Sequence, residues 1–140
     1  MVLFFWGTSN QCQRVFVLQK RVLRILTGMS FRESCRGVFR RCNILTLPAL
    51  YIYNVLVHFY RYNLYDGSAF KHGYQTRRMS YVYPKHSSSF YESSPRYMSI
   101  RLYNRLPLTI RGTVQFRKLK QNVIEYLIEL EPYTLREYLM

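Results

Sequence analysis

Hydrophobic and polar positions follow a helical period from residue 10 to residue 28. At about 100° per residue, one side of this stretch carries the apolar residues Val15, Leu18, Val22, Ile25 and Leu26. Another side gathers the basic residues Arg14, Lys20, Arg21 and Arg24. Asn10 suits the N-cap of such a helix, and Gly28 suits its C-terminal end. The pattern predicts an amphipathic helix with an apolar side for packing. Its basic side is either an ordinary solvated surface or a contact for an external anion.

A second strong pattern runs from Leu47 to Tyr62. Thr46 precedes it as a suitable N-cap, and Pro48 lies in the first turn, where proline is tolerated. This stretch is apolar on nearly every side, which is typical of a helix that is buried all round. We therefore predict that it is the central helix of the fold, and we interpret His58 within it as a core histidine rather than a ligand.

Weaker helical patterns occur on both sides of the central one. Ser30 and Glu33 have the spacing of a capping box, so a short helix is predicted to follow them. The last long pattern has an apolar face made of Phe116, Leu119, Val123, Tyr126, Leu127 and Leu130. The predicted helices are Glu33–Cys42, Ser99–Leu106 and Thr113–Leu130, with a final turn over Thr134–Leu139.

The period is lost in residues 63–98, where glycine and proline recur and tyrosines alternate with basic residues. Tyr74, Arg77 and Arg78 exemplify this composition, which is typical of surfaces that stack unpaired bases and contact phosphates. Tyrosines that pin a loop to the helical body explain the composition equally well. The predicted fold is mainly α: a small bundle of four to five helices (residues 1–62 and 99–140) with a long irregular basic and aromatic loop (residues 63–98).

Net charge is the bulk property that says most about the partner of this chain. The 140 residues contain 21 Lys and Arg but only 7 Asp and Glu, which gives a formal net charge of +14. An excess of this size points to a polyanionic partner such as RNA or DNA. Phosphoryl-transfer and nuclease centres need several converging carboxylates, and so few acidic residues leave little to build them from. The chain alone is therefore expected to bind rather than to catalyse.

Cysteine and histidine spacings give no sign of a metal site. Cys12, Cys35 and Cys42 form no C-x-x-C pair, and the three histidines are fourteen residues apart. We expect no metal, no cofactor and no small-molecule ligand. The odd cysteine number favours a reducing intracellular compartment, cytoplasm or nucleus. No run approaches the length of a membrane span, and the start lacks the basic region of a signal peptide, so a soluble protein is expected.

Four stretches stand in a specific order along the chain. They are Trp6-Gly7-Thr8-Ser9 with Val15-Phe16-x-Leu18-Gln19-Lys20-Arg21-Val22-x-Arg24-Ile25; Cys35-Arg36 with Ile44-Leu45-Thr46-Leu47-Pro48-x-Leu50-Tyr51-Ile52-Tyr53; His72-x-Tyr74-x-Thr76-Arg77; and Pro95-x-Tyr97-Met98-x-Ile100-x-Leu102-Tyr103-Asn104-x-Leu106-Pro107 with Phe116-x-x-Leu119-Lys120. Together they resemble the region after the polymerase domain in jockey-like non-LTR retrotransposon reverse transcriptases.

The resemblance implies a role within a larger enzyme. In that family the Tyr-x-Asp-Asp turn of the palm and the endonuclease lie upstream, and this chain has no Asp-Asp pair. It looks like the thumb-like portion and beyond, with residues 1–62 as the thumb-like part. The leading hypothesis is a non-catalytic C-terminal fragment that grips template and primer through phosphates. Its proposed contacts are Arg14, Lys20, Arg21, Arg24, Tyr74, Arg77 and Arg78. The alternative is a structural module that binds other proteins, including the remainder of a reverse transcriptase.

Overall fold

The computed structural model describes residues 10–66, 80–85 and 87–140, without the side chains of Asn10 and of residues 63–66. In these ranges all regular structure is helical and no strand occurs, so the prediction of a mainly α fold is confirmed. Four helices span 11 to 20 residues and four are short turns of helix. They are α1 (Asn10–Thr27), α2 (Val38–Arg41), α3 (Leu47–Asp66), α4 (Ser89–Glu92), α5 (Pro95–Arg105), α6 (Leu108–Arg111), α7 (Phe116–Leu130) and α8 (Leu135–Leu139).

Helix α3 is the central element, as predicted. It packs against α1, α5 and α7, and its apolar residues are buried on nearly every side. Thr46 caps it by accepting the backbone N–H of Ala49 on Oγ1 at 3.2 Å. His58 is a correction, because it lies on an exposed side of α3 beside the ring of Tyr62, 4.2 Å away between centroids. The helix also continues past Tyr62 to Asp66.

The main core surrounds α3. Its largest fully buried members include Tyr51, Ile52 and Leu56 of α3 and Ile100, Leu102 and Leu106 at α5. The predicted face of α7 contributes as expected, with Leu119, Val123 and Leu127 buried and Phe116 and Tyr126 partly buried, whereas Leu130 is exposed. Helix α8 closes this core, since the hydroxyl of Tyr138 donates to the carbonyl of Leu102 at 3.0 Å.

A second, smaller core lies between α1 and α2. It contains the buried residues Phe16, Leu23, Cys35, Val38 and Phe39, with Met29, Leu47 and Tyr133 packed against it. The rings of Phe16 and Tyr133 meet edge to face, 5.0 Å apart between centroids. Because Tyr133 comes from the C-terminal part of the chain, this small core ties the two ends of the sequence together.

Residues 131–137 form the link between the two cores, and we call them the C-terminal strap. The buried carboxylate of Glu131 accepts the backbone N–H of Gly37 with both oxygens, at 2.9 and 2.7 Å. The hydroxyl of Thr46 donates to the carbonyl of Pro132. These bonds join positions more than 80 residues apart in sequence, so the strap fixes how the N-terminal helices sit on the rest.

The orientation of α1 is the largest correction. Its bounds agree with the pattern, and Gly28 ends it with φ of 66° while the Met29 N–H reaches back to the carbonyl of Arg24 at 2.9 Å. The face that packs inward, however, carries Phe16 and Leu23. The apolar residues expected to pack are instead exposed to solvent: Val15, Leu18, Val22, Ile25 and Leu26.

Two further element bounds differ from the sequence prediction. The second helix shrinks to α2, because Cys35 and Arg36 lie in turns and Gly37 has φ of 78°. The predicted capping contact still forms there, with the Ser30 N–H donating to Glu33 Oε2 at 2.6 Å. Helix α5 begins four residues earlier than predicted, because Ser94 caps it and Pro95 occupies its first turn.

Part of the loop predicted over residues 63–98 is helical in the described residues. Residues 63–66 complete α3, residues 89–92 form α4, and α5 begins at Pro95. Residues 80–85 are without helix, in agreement with the prediction. Residues 67–79 and 86 lie outside the described residues. Among the helices of the described ranges, none is both long and apolar enough to cross a membrane.

Candidate nucleic-acid interface

The four basic residues of α1 divide into two pairs. Arg14 and Arg21 are exposed. Lys20 is half-buried, with Nζ 4.8 Å from the ring centroid of Phe16 and 5.8 Å from that of Tyr133. Arg24 is half-buried too, and its Nε donates to the carbonyl of Glu33 at 2.9 Å, which fastens the following turns to α1. Lys20 and Arg24 therefore help to hold the small core together, whereas Arg14 and Arg21 face outward.

Tyr74, Arg77 and Arg78 lie outside the described residues. Of the described tyrosines at residues 80–85, Tyr81 packs within the protein, whereas Tyr83 is exposed. Tyr81 meets the rings of Phe59 and Tyr103 edge to face, at 5.0 and 4.8 Å between centroids. Its backbone is held by Asn104, which accepts the Tyr81 N–H at 2.9 Å and donates to the Tyr81 carbonyl at 2.8 Å. At residues 80–85, the tyrosine-rich segment is anchored to α5.

Four more exposed arginines lie between α1 and α3: Arg32, Arg36, Arg40 and Arg41. Arg32 lies in a turn and Arg40 and Arg41 lie on the short α2, so no long helical period connects them in the sequence. Arg36 in the same segment has a structural task. Its guanidinium bonds Glu137 at 2.7 Å and lies 4.4 Å from the ring centroid of Tyr133.

The carboxylates closest to this region are engaged by backbone groups. Glu33 accepts from Ser30, and Glu131 accepts from Gly37. Glu137 accepts the N–H of Tyr133 at 2.9 Å, which is the main reason that the pKa of Glu137 lies below its ordinary value. The guanidinium of Arg36 adds to that effect. These acidic groups bind backbone within the fold, and among the described residues the ion pair they form is the one between Glu137 and Arg36.

Five outward arginines result, and we call them the basic shoulder: Arg14, Arg21, Arg32, Arg40 and Arg41. None of them forms an ion pair with a carboxylate in the part of the chain that the structure describes. Arg21 lies against the exposed ring of Phe31, with its guanidinium carbon 6.0 Å from the ring centroid. A planar guanidinium with free donors suits bidentate contact with phosphate oxygens.

The described side chains offer little for acid–base or metal chemistry. No group of three or more His, Cys, Asp or Glu residues within 10–66, 80–85 and 87–140 could hold a metal ion. Burial raises the pKa of Tyr133 to about 12, with Glu131 adding to the shift, so its hydroxyl stays protonated at neutral pH. The arrangement provides positive charge and hydrogen-bond donors on a fixed surface.

An open groove of about 500 Å³ runs beside α7. Tyr53 of α3 and Phe116, Ile124 and Ile128 of α7 contribute its apolar lining, and Arg117, Lys120 and Glu125 are at its rim. The ammonium of Lys120 lies 5.4 Å from the ring centroid of Phe116. Both signs of charge are present, so this groove is less suited to a polyanion than the basic shoulder.

Comparison with protein-family models, with curated proteins and with solved structures found no match.

Proposed function

We propose that this chain is a non-catalytic C-terminal part of a retrotransposon RNA-directed DNA polymerase of the jockey-like type. In this proposal it binds the phosphate backbone of template and primer through the basic shoulder. The proposal combines two independent kinds of support: the order of the sequence motifs and the distribution of charge on the described surface.

The observation that carries the binding role is the basic shoulder itself. Residues 14–41 contain eight basic residues and one acidic residue, a local excess of 8 − 1 = +7. The carboxylates that the fold brings near, Glu131 and Glu137, are bound by backbone N–H groups and by Arg36. An excess of like charge on one part of the chain is self-repulsive, and a polyanion relieves that repulsion. The guanidinium fork matches phosphate oxygens bidentately, so a phosphate backbone fits these arginines.

Residues of the second and fourth motifs have structural tasks, whereas Val15, Leu18, Val22 and Ile25 of the first motif are exposed. Thr46 and Pro48 start the central helix, while Leu102, Tyr103 and Leu106 are buried in the main core. Asn104 fastens Tyr81, which lies within the predicted tyrosine-rich loop. These residues set the fold, and the proposed contacts with nucleic acid come from exposed arginines, of which only Arg21 lies within a motif.

In the proposed mechanism the chain positions template and primer and catalyses no reaction itself. Each arginine that meets a phosphate releases a condensed counterion, so affinity depends steeply on salt and little on base sequence. Phosphate contacts fix the register of a duplex but carry no direct sequence information. Tyr74, with Arg77 and Arg78, remains the proposed contribution of the loop, in which an unpaired base stacks on the ring. The catalytic carboxylates belong to the upstream palm in this proposal.

The test is the salt dependence of RNA binding by the whole chain. Replacing Arg14, Arg21, Arg32 and Arg40 with glutamine should reduce the slope of log K against log[salt] by roughly 2–4 units if most of them contact phosphate. The charge-matched control replaces four exposed basic residues of α5 and α7: Arg101, Arg105, Arg117 and Lys118. It should change the slope less than the shoulder variant does.

Two results would count against the proposal. An unchanged slope in the shoulder variant would show that these arginines make no phosphate contact. Equal losses in the two variants would show that net charge, rather than this surface, governs binding. Circular dichroism of both variants verifies that the helices are retained.

A further inference from the structure

The outward side of α1 is an exposed apolar seam, which we define as Val15, Leu18, Val22, Ile25 and Leu26. The exposed fractions of these residues run from 44% for Val15 to 80% for Ile25. The ring of Phe31 is exposed as well and lies beside Arg21 of α1. Single exposed apolar residues are common on proteins, but a contiguous set of this size marks an interaction site.

The seam belongs to a helix that is firmly held from the other side. Phe16 and Leu23 are buried in the small core. The side-chain amide of Gln19 donates to the carbonyl of Leu45 at 2.9 Å and accepts the N–H of Leu47 at 2.9 Å. These contacts fix α1 on the start of α3, so the seam is presented in a preformed helical geometry. A partner would not have to order it on binding.

The spacing of the seam is that of helix-to-helix packing. Val15, Leu18, Val22 and Ile25 follow intervals of 3, 4 and 3 residues, which are the a and d positions of two heptads. A strip this narrow matches the side chains of one facing helix. A bilayer surface, by contrast, is bound by a broad apolar face. The geometry therefore favours a helical occupant.

Charge identifies the kind of helix. In the same heptad register, Arg14 and Arg21 occupy both g positions, and α1 contains no acidic residue. A second copy of α1 supplies no carboxylate: antiparallel pairing would oppose arginine to arginine, and parallel pairing would oppose them to Gln19 and Leu26. A complementary partner has to bring the negative charge itself.

We propose that the seam docks an acidic amphipathic helix supplied by a separate protein. Apolar side chains of that helix would pack between Val15, Leu18, Val22 and Ile25, and its glutamates or aspartates would face Arg14 and Arg21. This interaction goes beyond nucleic-acid binding and does not require it. Since Arg14 and Arg21 also belong to the basic shoulder, a docked helix would compete with phosphates for these two residues.

The experiment measures binding of designed peptides to the whole chain without nucleic acid, by fluorescence anisotropy. One three-heptad peptide has leucine at a and d and glutamate at e and g, and its matched partner has lysine at e and g. The glutamate peptide should bind, and the lysine peptide should bind at least roughly tenfold more weakly, because like charges across an interface are costly. The double variant Arg14→Glu, Arg21→Glu should invert this preference.

A second variant tests the apolar part of the seam. Leu18→Gln combined with Ile25→Gln should weaken the glutamate peptide by at least roughly tenfold, since the central apolar anchors carry most of the energy in such contacts. Val114→Gln, at an apolar residue that is 88% exposed elsewhere, is the matched control and should leave peptide binding unchanged. Circular dichroism and the unfolding midpoint verify that the variants stay folded.

Five outcomes would overturn the proposal. Absence of glutamate-peptide binding would do so, as would equal binding of both peptides or binding that the Leu18 and Ile25 variant does not change. Self-association abolished by that same variant would assign the seam to a second copy of the chain. Co-sedimentation with phosphatidylserine vesicles, lost in the variant, would assign it to a membrane surface. The Arg32→Gln, Arg40→Gln variant leaves the seam intact. Its affinity for RNA therefore tests the proposed nucleic-acid binding separately from helix docking.

Discussion

Helices α1 and α3 are both rich in apolar residues, yet the fold treats them differently. Around α3, residues such as Ile52, Val55 and Leu56 are fully buried by α1, α5 and α7. In α1 only Phe16 and Leu23 are buried, and six other apolar side chains, the five of the seam and Val17, face solvent. The central helix uses its hydrophobicity for stability. Most of the hydrophobicity of α1 is left over after folding, which makes it available to a partner.

The difference arises from what each face has to contact. The inward face of α1 offers a large aromatic ring, a leucine and the amide of Gln19, which satisfies two backbone groups between α2 and α3. Leaving that carbonyl and that N–H unpaired would be costly, which favours packing by the face that carries Gln19. The wider apolar stripe of a helix therefore need not be the one that meets the core.

The variant with the largest expected effect tests how much the buried residues of α3 stabilise the fold. Leu56→Ala removes a fully buried side chain and leaves a cavity, so the free energy of unfolding should fall by about 2–5 kcal/mol. Val114→Ala, at an exposed residue, should change it by less than about 0.5 kcal/mol. Urea denaturation followed by circular dichroism measures both. Similar small losses in the two variants would mean that the main core is not tightly packed.

A smaller effect concerns the strap that holds α1 and α2 against the main core. Glu131→Ala removes the two bonds to the Gly37 N–H and leaves that donor unpaired, at a cost of roughly 1.5–3 kcal/mol of unfolding free energy. Glu129→Ala, in the exposed last turn of α7, is the matched control and should be close to neutral. If both variants were neutral, the strap would not couple the two cores.

Local chemistry explains which parts of the fold the sequence predicts well. Gly28 ends α1 because it alone among nearby residues adopts φ of 66° without strain, and Thr46 starts α3 through its hydroxyl. The face of α7 follows directly from its period. The missed start of α5 was readable, because Ser94 and Pro95 together form a helix-start signal rather than a loop signal.

Tertiary contacts explain what sequence patterns could not provide. The late start of α2 depends on Gly37, whose N–H is bound by Glu131, 94 residues away in sequence. The same is true of the candidate site. Lys20 and Arg24 share a helix with Arg14 and Arg21, but their tasks are set by Tyr133 and by the carbonyl of Glu33. Helical spacing predicts which charged residues share a face. It does not predict which of them are bound within the fold.

One face of α1 stabilises the fold, and the seam does not. The most direct test compares Leu23→Ala with Ile25→Ala, two aliphatic truncations two residues apart on the same helix. The structure predicts a loss of about 2–5 kcal/mol of unfolding free energy for the buried Leu23. It predicts a change of less than about 0.5 kcal/mol for Ile25, which is 80% exposed. Equal losses, or a larger loss at Ile25, would place the seam in the core and contradict the account.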